Sequence, residues 1–208
     1  MEYLGYLALG SVAGLVSGLF GLGGGTVIVP ILLLVFAAQG ISPEISTHMA
    51  IATSLACISI TSISSIYTHY QKGAVNWSLA QLFIPGMVLG TFIGTSFFVS
   101  LDGVALQILF GIFLLAIGLQ MVFYKAVESD AKLPSRTFLM SSGASIGGVS
   151  ALFGVGGGMF TTPLLIHFGV KIHQAIGVAA VGGFCVALPA SIVYGISDIS
   201  TTGLPEST

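Results

Sequence analysis

The sequence predicts an all-α polytopic membrane protein built from inverted repeats that contain Gly/Pro-broken half-helices. Three observations predict this class. Only 6% of the 208 residues are charged and 55% are hydrophobic, with a mean hydropathy of +1.06, whereas soluble domains carry about 25% charged residues. Long apolar runs follow one another with short polar loops between them, and one glycine-rich motif occurs twice. So few charges cannot cover a surface that faces water, but a surface that faces lipid needs none.

The repeated motif marks the two halves of the chain. The first glycine segment, residues 17–25, has the sequence SGLFGLGGG and is followed by Pro30. The second glycine segment, residues 150–158, has the sequence SALFGVGGG and is followed by Pro163, with matched positions 133 residues apart. Such self-similarity indicates internal repeats. We therefore expect a first transmembrane repeat over residues 1–124, a cytoplasmic linker over 125–136 and a second, inverted transmembrane repeat over 137–208.

Eight apolar runs are predicted to be helices: Tyr3–Phe20, Thr26–Ala38, Thr47–Tyr70, Leu79–Leu101, Val104–Tyr124, Thr137–Phe153, Met159–Phe168 and Gln174–Gly195. The second and seventh runs are too short to cross a bilayer. Each carries its proline, Pro30 or Pro163, in the predicted first turn, where no N–H is needed, and we expect both runs to be half-helices. Gly86, Gly90 and Gly94 favour close helix packing in the fourth run. Because the second repeat stops two helices short of the first, we expect the sequence to be a fragment of a longer protein.

The charges predict how the chain is oriented. Every Lys and Arg lies in a loop after run three, five or seven: Lys72, Lys125, Lys132, Arg136 and Lys171. The positive-inside rule makes that side cytoplasmic, so we predict a multi-pass protein of the cytoplasmic membrane with its N-terminus outside. Five elements separate the starts of the two repeats, so the second runs through the bilayer inverted. This is the architecture of secondary transporters.

The glycine segments predict a binding site for a small anion. The first turn of a helix has N–H groups without partners and a partial positive charge, and glycine allows a ligand to approach these amides closely. Neither segment contains the carboxylates expected of a cation site. The predicted substrate-binding amides belong to Gly23, Gly24, Gly25 and Thr26 in the first segment and to Gly156, Gly157, Gly158, Met159 and Phe160 in the second. Thr53 and Ser54 are the predicted side-chain donors.

Several alternatives stay open at this point. The glycines could serve helix packing alone, and the hydroxyls of Thr53 and Ser54 could bond to carbonyls of their own helix. An intramembrane hydrolase would pair a serine, Ser142 or Ser145, with His167 or His173. A nucleotide-binding loop would need a Lys-Ser/Thr that neither segment has.

The remaining polar and sulfur-containing residues give weaker signals. His48 is a candidate protonation switch or an interfacial histidine. His69 and Lys72, with His167, Lys171 and His173, are candidates for a basic vestibule or for interface residues. Cys57 and Cys185 are predicted to be small buried hydrophobic residues. No metal site or cofactor is predicted, and without a basic stripe no nucleic-acid partner is expected.

Five features together resemble the sulfite exporter TauE/SafE family. They are the GLGGG-x4-P element ending at Pro30, Ala52-Thr53-Ser54, the Gly73–Trp77 loop, Pro85-Gly86 with Gly90 and Gly94, and the repeated GVGGG. The resemblance implies an integral membrane permease for small sulfur-containing anions such as sulfite, sulfoacetate or other organosulfonates. Where that family commonly has a second Gly-Thr-Ser, this chain has Gly177-Val178-Ala179, so we expect an asymmetric site in which Thr53 and Ser54 supply the side-chain donors.

The sequence as a whole predicts a permease, and not an enzyme, that moves a small anion through the lipid bilayer by alternating access. A passive anion channel and a non-transporting scaffold subunit are the alternatives, and homo-oligomerisation is left open.

Overall fold

A computed structural model describes residues 10–11, 14–15, 24–123 and 133–196. Of the predicted first helix, the structure describes only residues 10–11 and 14–15, which are helical. The first glycine segment up to Gly23 and most of the predicted linker lie outside the described residues. From residue 24 onward the described chain forms seven helices: α1 (Gly25–Ala38), α2 (Pro43–Gln71), α3 (Trp77–Phe98), α4 (Gly103–Phe123), α5 (Arg136–Leu152), α6 (Gly158–His167) and α7 (Ile172–Ile196).

Four of these helices, α2, α3, α4 and α7, are long and apolar enough to cross a membrane. The helices α1 and α6 contain 14 and 10 residues. At 1.5 Å per residue they are about 21 and 15 Å long, against a hydrocarbon core of about 30 Å. The predicted class, an all-helical multi-pass membrane protein with half-helices, is therefore confirmed.

Capping residues fix where the helices begin and end. The side chains of Asn76 and Ser135 accept hydrogen bonds from Leu79 N–H and Phe138 N–H at the starts of α3 and α5. Four helices end at a glycine with positive φ followed by the paired backbone bonds of a Schellman motif: α1 at Gly40, α2 at Gly73, α5 at Gly154 and α6 at Gly169. Glycine suits these positions because the left-handed backbone costs other residues about 1–2 kcal/mol.

The two prolines do not lie where the sequence predicted. Because α1 begins at Gly25 and α6 at Gly158, Pro30 and Pro163 are each the sixth helical residue and lie in the second turn. The prediction of a first-turn position is therefore wrong. In the second turn a proline removes the hydrogen bond to the carbonyl four residues earlier.

The predicted glycine ladder packs α3 against α5, and this prediction is confirmed. A Cβ atom at Gly86, Gly90 or Gly94 would collide with the backbone of Met140, Ala144 or Gly148, respectively. Gly143 and Gly147 of α5 approach the α3 backbone reciprocally. Contacts that advance together along both helices mean that α3 and α5 run parallel.

The long helices α2 and α7 pack against each other in opposite directions. The rings of His48 and Tyr194 lie 6.3 Å apart near the start of α2 and the end of α7. A Cβ atom on Gly183 would lie 3.4 Å from Ser62 Oγ near the middle of both helices. A short turn joins α1 to α2, and another joins α6 to α7, so the hairpins α1–α2 and α6–α7 point in opposite directions. This is the inverted half-helix arrangement that the repeats predict.

The two ends of the helix bundle carry opposite charge. Every Lys and Arg of the described residues, together with His69, His167 and His173, lies where α2 and α6 end and where α3, α5 and α7 begin. We call this the basic end. The described carboxylates, Glu44 and Asp102, lie at the starts of α2 and α4, at the opposite end.

Candidate functional site

The second glycine segment is unwound over residues 153–157, which link α5 to α6. Gly154 has a φ of 64° and Gly157 a φ of 70°. The Gly157 carbonyl accepts the N–H groups of Phe160 and Thr161 and also the Thr161 hydroxyl. Among the described residues, no backbone acceptor faces the N–H groups of Gly156, Gly158 or Met159. Of the five amides predicted as donors in this segment, those of Gly156, Gly158 and Met159 are therefore available, whereas the Gly157 N–H donates to the Val155 carbonyl and the Phe160 N–H to the Gly157 carbonyl.

The start of α1 is pressed against this linker. A Cβ atom on Gly25 would collide with the carbonyl of Gly154 and would lie 2.9 Å from Val155 Cα. Gly25 and Thr26 are both buried. The two half-helices therefore begin at the same place, and they run away from it toward opposite ends of the bundle. A positive helix end from each repeat is thus directed at one region.

One cavity of about 540 Å³ lies at this convergence. Glycines from both segments line it, together with one face of α2 and one face of α7. The lining residues are Gly10, Gly14, Gly24, Ile28, Cys57, Ile58, Thr61, Ser62, Ser65, Gly156, Gly158, Ile176, Ala179, Ala180 and Gly183. Among the described residues that line the cavity, none is ionisable except Cys57, so the polarity of this part of the wall comes from backbone groups, three hydroxyls and one thiol.

The predicted glycines divide into two groups. Gly24, Gly156 and Gly158 line the cavity. Gly25 and Gly157 lie behind its wall: Gly25 contacts the other segment, and a Cβ atom on Gly157 would lie 3.2 Å from Met87 Cε and 3.5 Å from Ser150 Oγ. Gly23 lies outside the described residues.

Met159 and Phe160 pack into the hydrophobic core at the start of α6. The Phe160 ring lies 5.7 Å from the ring of Phe113, which stacks on Phe153 at 4.1 Å. This aromatic packing against α4 holds both ends of the second segment. Thr26, at the start of α1, is a buried residue that does not line the cavity.

The structure places the two predicted side-chain donors differently from each other. Ser54 is fully buried and donates to the Gly154 carbonyl at 2.8 Å, so its hydroxyl ties α2 to the second glycine segment. Thr53 is exposed and does not line the cavity. Their role as substrate donors stays a prediction.

Sequence reasoning missed the hydroxyls that do line the cavity, Thr61, Ser62 and Ser65, and it placed Cys57 in the core although its side chain is exposed. A signal was available, because Cys57, Thr61 and Ser65 recur every four residues and share one helix face. The sequence alone does not say which face of a hydroxyl-rich helix turns toward the glycines.

The serines of the alternative hydrolase bond within their own helix. Ser142 donates to the carbonyls of Phe138 and Leu139, and Ser145 donates to that of Ser141. The His167 ring lies edge-on to Phe168 at 5.2 Å. Within the part of the chain that the structure describes, no hydrogen bond joins these serines to a histidine.

Two opposed half-helices that begin at one cavity, inside a bundle of apolar spans, define a polytopic membrane protein with the architecture of a secondary transporter. The profile of the sulfite exporter TauE/SafE family matches residues 6–205. The chain belongs to this family.

The relatives in this family are described as transporters. A probable membrane transporter protein of Haemophilus influenzae is 31% identical over 96% of this chain and 76% of its own length. One of Methanocaldococcus jannaschii is 30% identical over 96% and 77%, and the probable membrane transporter protein YunE of Bacillus subtilis is 28% identical over 95% and 80%. No solved structure gave a significant match. The family and these relatives make the chain a membrane transporter.

Proposed function

We propose that this chain is a permease that carries a small anion, a sulfur oxyanion or an organosulfonate such as sulfite or sulfoacetate, across the cytoplasmic membrane by alternating access. One observation carries the proposal: Gly24, Gly156 and Gly158 line a single cavity at the point where α1 and α6 begin. The function rests on binding and movement, and it assigns no enzymatic step to the chain.

The anion class follows from the electrostatics of the cavity. The start of a helix has the equivalent of about half a positive charge and N–H groups without partners, and anions bind readily at such ends. Two such ends meet here, and none of the described lining residues is a carboxylate that would oppose an anion. The hydroxyls of Thr61, Ser62 and Ser65 add neutral donors, which suit an oxyanion with several acceptor oxygens.

The sulfur chemistry of the substrate is supported by the family description alone, which names sulfite export. Sulfite and the organosulfonates share a compact, oxygen-rich head. A cavity of about 540 Å³ is within the range of small-molecule sites, roughly 300–1,000 Å³.

The basic end supports an orientation with that end in the cytoplasm, by the positive-inside rule. In this orientation the predicted N-terminus is outside. Alternating access is supported by the opposed hairpins, because rocking of one repeat against the other exposes a fixed site to each side in turn.

The binding step is tested by the thermal stability of the purified protein in detergent with sulfite, sulfate, sulfoacetate and chloride. A ligand that binds the folded state raises the melting temperature as its concentration exceeds Kd. We expect a selective rise with a sulfur oxyanion or an organosulfonate. A rise with none of the four anions would contradict the anion site.

The transport step is tested in proteoliposomes loaded with the anion that stabilises best. A carrier exchanges labelled anion faster when unlabelled anion is present on the far side, whereas a passive channel does not. Acceleration by anion on the far side supports alternating access, and its absence together with a steady anion current would favour the channel.

A further inference from the structure

The cavity extends along α2 and α7 toward the basic end. Its lining on α2 runs from Cys57, level with the glycines, to Ser65. Eight residues of helix cover about 12 Å. On α7 the lining runs from Gly183 back to Ile176. Because α2 and α7 are antiparallel, Ser65 and Ile176 lie at the same end of the cavity.

Two histidines lie one turn beyond this end, and Lys72 lies about one turn further along α2. His69 follows Ser65 by four residues, and His173 precedes Ile176 by three, so each lies on the face of its helix that lines the cavity. A Cβ atom on Gly177 of α7 would collide with the carbonyl of Ala74, two residues after Lys72, so the end of α2 lies against the start of α7. We call these residues, His69, Lys72 and His173, the basic mouth.

The composition of the basic mouth favours anions. It brings one lysine and two histidines together in a chain that has only five Lys and Arg residues in total. The described carboxylates, Glu44 and Asp102, lie at the other end of the bundle. Ammonium and imidazole N–H groups are donors suited to oxyanions.

We propose that His69, Lys72 and His173 form a second anion-binding site at the mouth of the cavity, which takes small oxyanions on their path to or from the glycine amides. The proposal rests on the proposed function in one respect, namely that the ligand of the cavity is an anion. It adds a separate site, about three helical turns away from the glycines, that attracts the anion before the cavity holds it.

The native thiol of Cys57 allows a test that needs no transport and no identified substrate. Cys57 lines the cavity at the end away from the mouth, so a reagent that enters from the basic end passes the mouth before it reaches the thiol. The measurement compares second-order rates of thiol modification by an anionic and a cationic methanethiosulfonate, the sulfonatoethyl and trimethylammonioethyl reagents. Full-length protein with Cys185→Ala, in detergent, restricts the reaction to Cys57.

We expect the ratio of anionic to cationic rate to fall at least about fivefold in the His69→Gln, Lys72→Gln, His173→Gln triple variant, because charged funnels change association rates by factors of about 10–10³. The matched control is Arg136→Gln, which removes one charge at the same end but from a helix, α5, that does not line the cavity. Its ratio should stay unchanged, since solvent screens charges beyond about 8–10 Å. Lys72→Gln alone, at an exposed residue, gives a second variant that does not depend on folding of the triple variant.

A second readout uses inorganic sulfate as the probe. Sulfate should slow the anionic reagent in the parent protein and should not slow it in the triple variant. The proposal is overturned if the rate ratio is the same in parent and triple variant, if Arg136→Gln lowers it equally, or if Cys57 reacts with neither reagent. A thermal-stability scan of the triple variant, which lacks the basic mouth, reports on the glycine amides alone. No anion-dependent shift in that variant, together with a charge-dependent thiol rate in the parent protein, would contradict the glycine site and support the mouth.

Discussion

Replacing Gly158 by alanine tests the glycine amides with little disturbance of the fold. A Cβ atom at this position would lie 3.7 Å from the Cβ of Ala179, which is an ordinary contact. Both residues line the cavity, so the methyl group would stand on the wall beside the amide donors. Alanine also favours the helix over glycine by about 1 kcal/mol, so the protein without ligand should melt at the same temperature or higher.

The expected loss lies in anion binding. A hydrogen bond to a charged group contributes about 1.5–3 kcal/mol, so displacement of one bond weakens binding roughly 10- to 150-fold. At an anion concentration of about 100 Kd the parent protein gains about 2.7 kcal/mol of apparent stability. With a hundredfold weaker Kd the gain falls to about 0.4 kcal/mol. Thermal unfolding with and without sulfite measures the gain in stability for the parent protein and for Gly158→Ala.

The control is Gly111→Ala, the same chemical change at a helical position with no neighbouring atom within 4 Å. It should leave the anion-dependent shift at the parent value. If Gly158→Ala kept the full shift while melting normally, the amides at the start of α6 would not bind the anion, and the site would have to be placed elsewhere.

Three further predictions concern stability, measured as the free energy of unfolding. Gly90→Ala should destabilise the protein by about 1–3 kcal/mol, because the added methyl group overlaps the α5 backbone. Gly111→Ala should leave the stability unchanged, and equal losses in the two variants would contradict the close packing of α3 and α5. Ser54→Ala should cost about 0.6–1.7 kcal/mol, as for other hydrogen bonds between membrane helices, while Thr53→Ala should change the stability little. A larger loss in Thr53→Ala than in Ser54→Ala would refute the hydrogen bond from Ser54 to the Gly154 carbonyl. Gly154→Ala should cost about 1–2 kcal/mol because of its positive φ, and an unchanged stability would show that the α5 terminus is not left-handed.

Much of the architecture could be predicted from the sequence because bilayer physics leaves few choices. From residue 24 onward the apolar runs are helices within a few residues of their predicted bounds, since backbone groups in lipid must bond within the segment. The small-residue spacing of Gly86, Gly90 and Gly94 predicted a close contact, although the partner helix could not be read from it. The starts of both half-helices were predicted to within one residue, but the first-turn assignment of Pro30 and Pro163 was wrong, because the fifth residue of either predicted run already lies beyond one turn of 3.6 residues.

The candidate site could be predicted in kind but not in detail. The doubled motif indicated that two helix starts share one site, and Gly24, Gly156 and Gly158 do line one cavity. Ser54 has the same hydroxyl as Ser62, yet Ser54 donates to a carbonyl of the other repeat while Ser62 lines the cavity. Nothing in the local sequence distinguishes the two residues.

By itself, the sequence determined the membrane environment, the number and inversion of the apolar elements and the positions where the backbone must unwind. These properties follow from composition, from periodicity and from the conformational freedom of glycine, all of which are local. The tertiary structure decided that Gly25 meets Gly154, that α2 turns its 57–65 face to the cavity, and that Ala74, just after the end of α2, meets Gly177 of α7. Those pairings join residues more than 100 positions apart, and they are fixed by how the helices pack, which no single segment of the chain encodes.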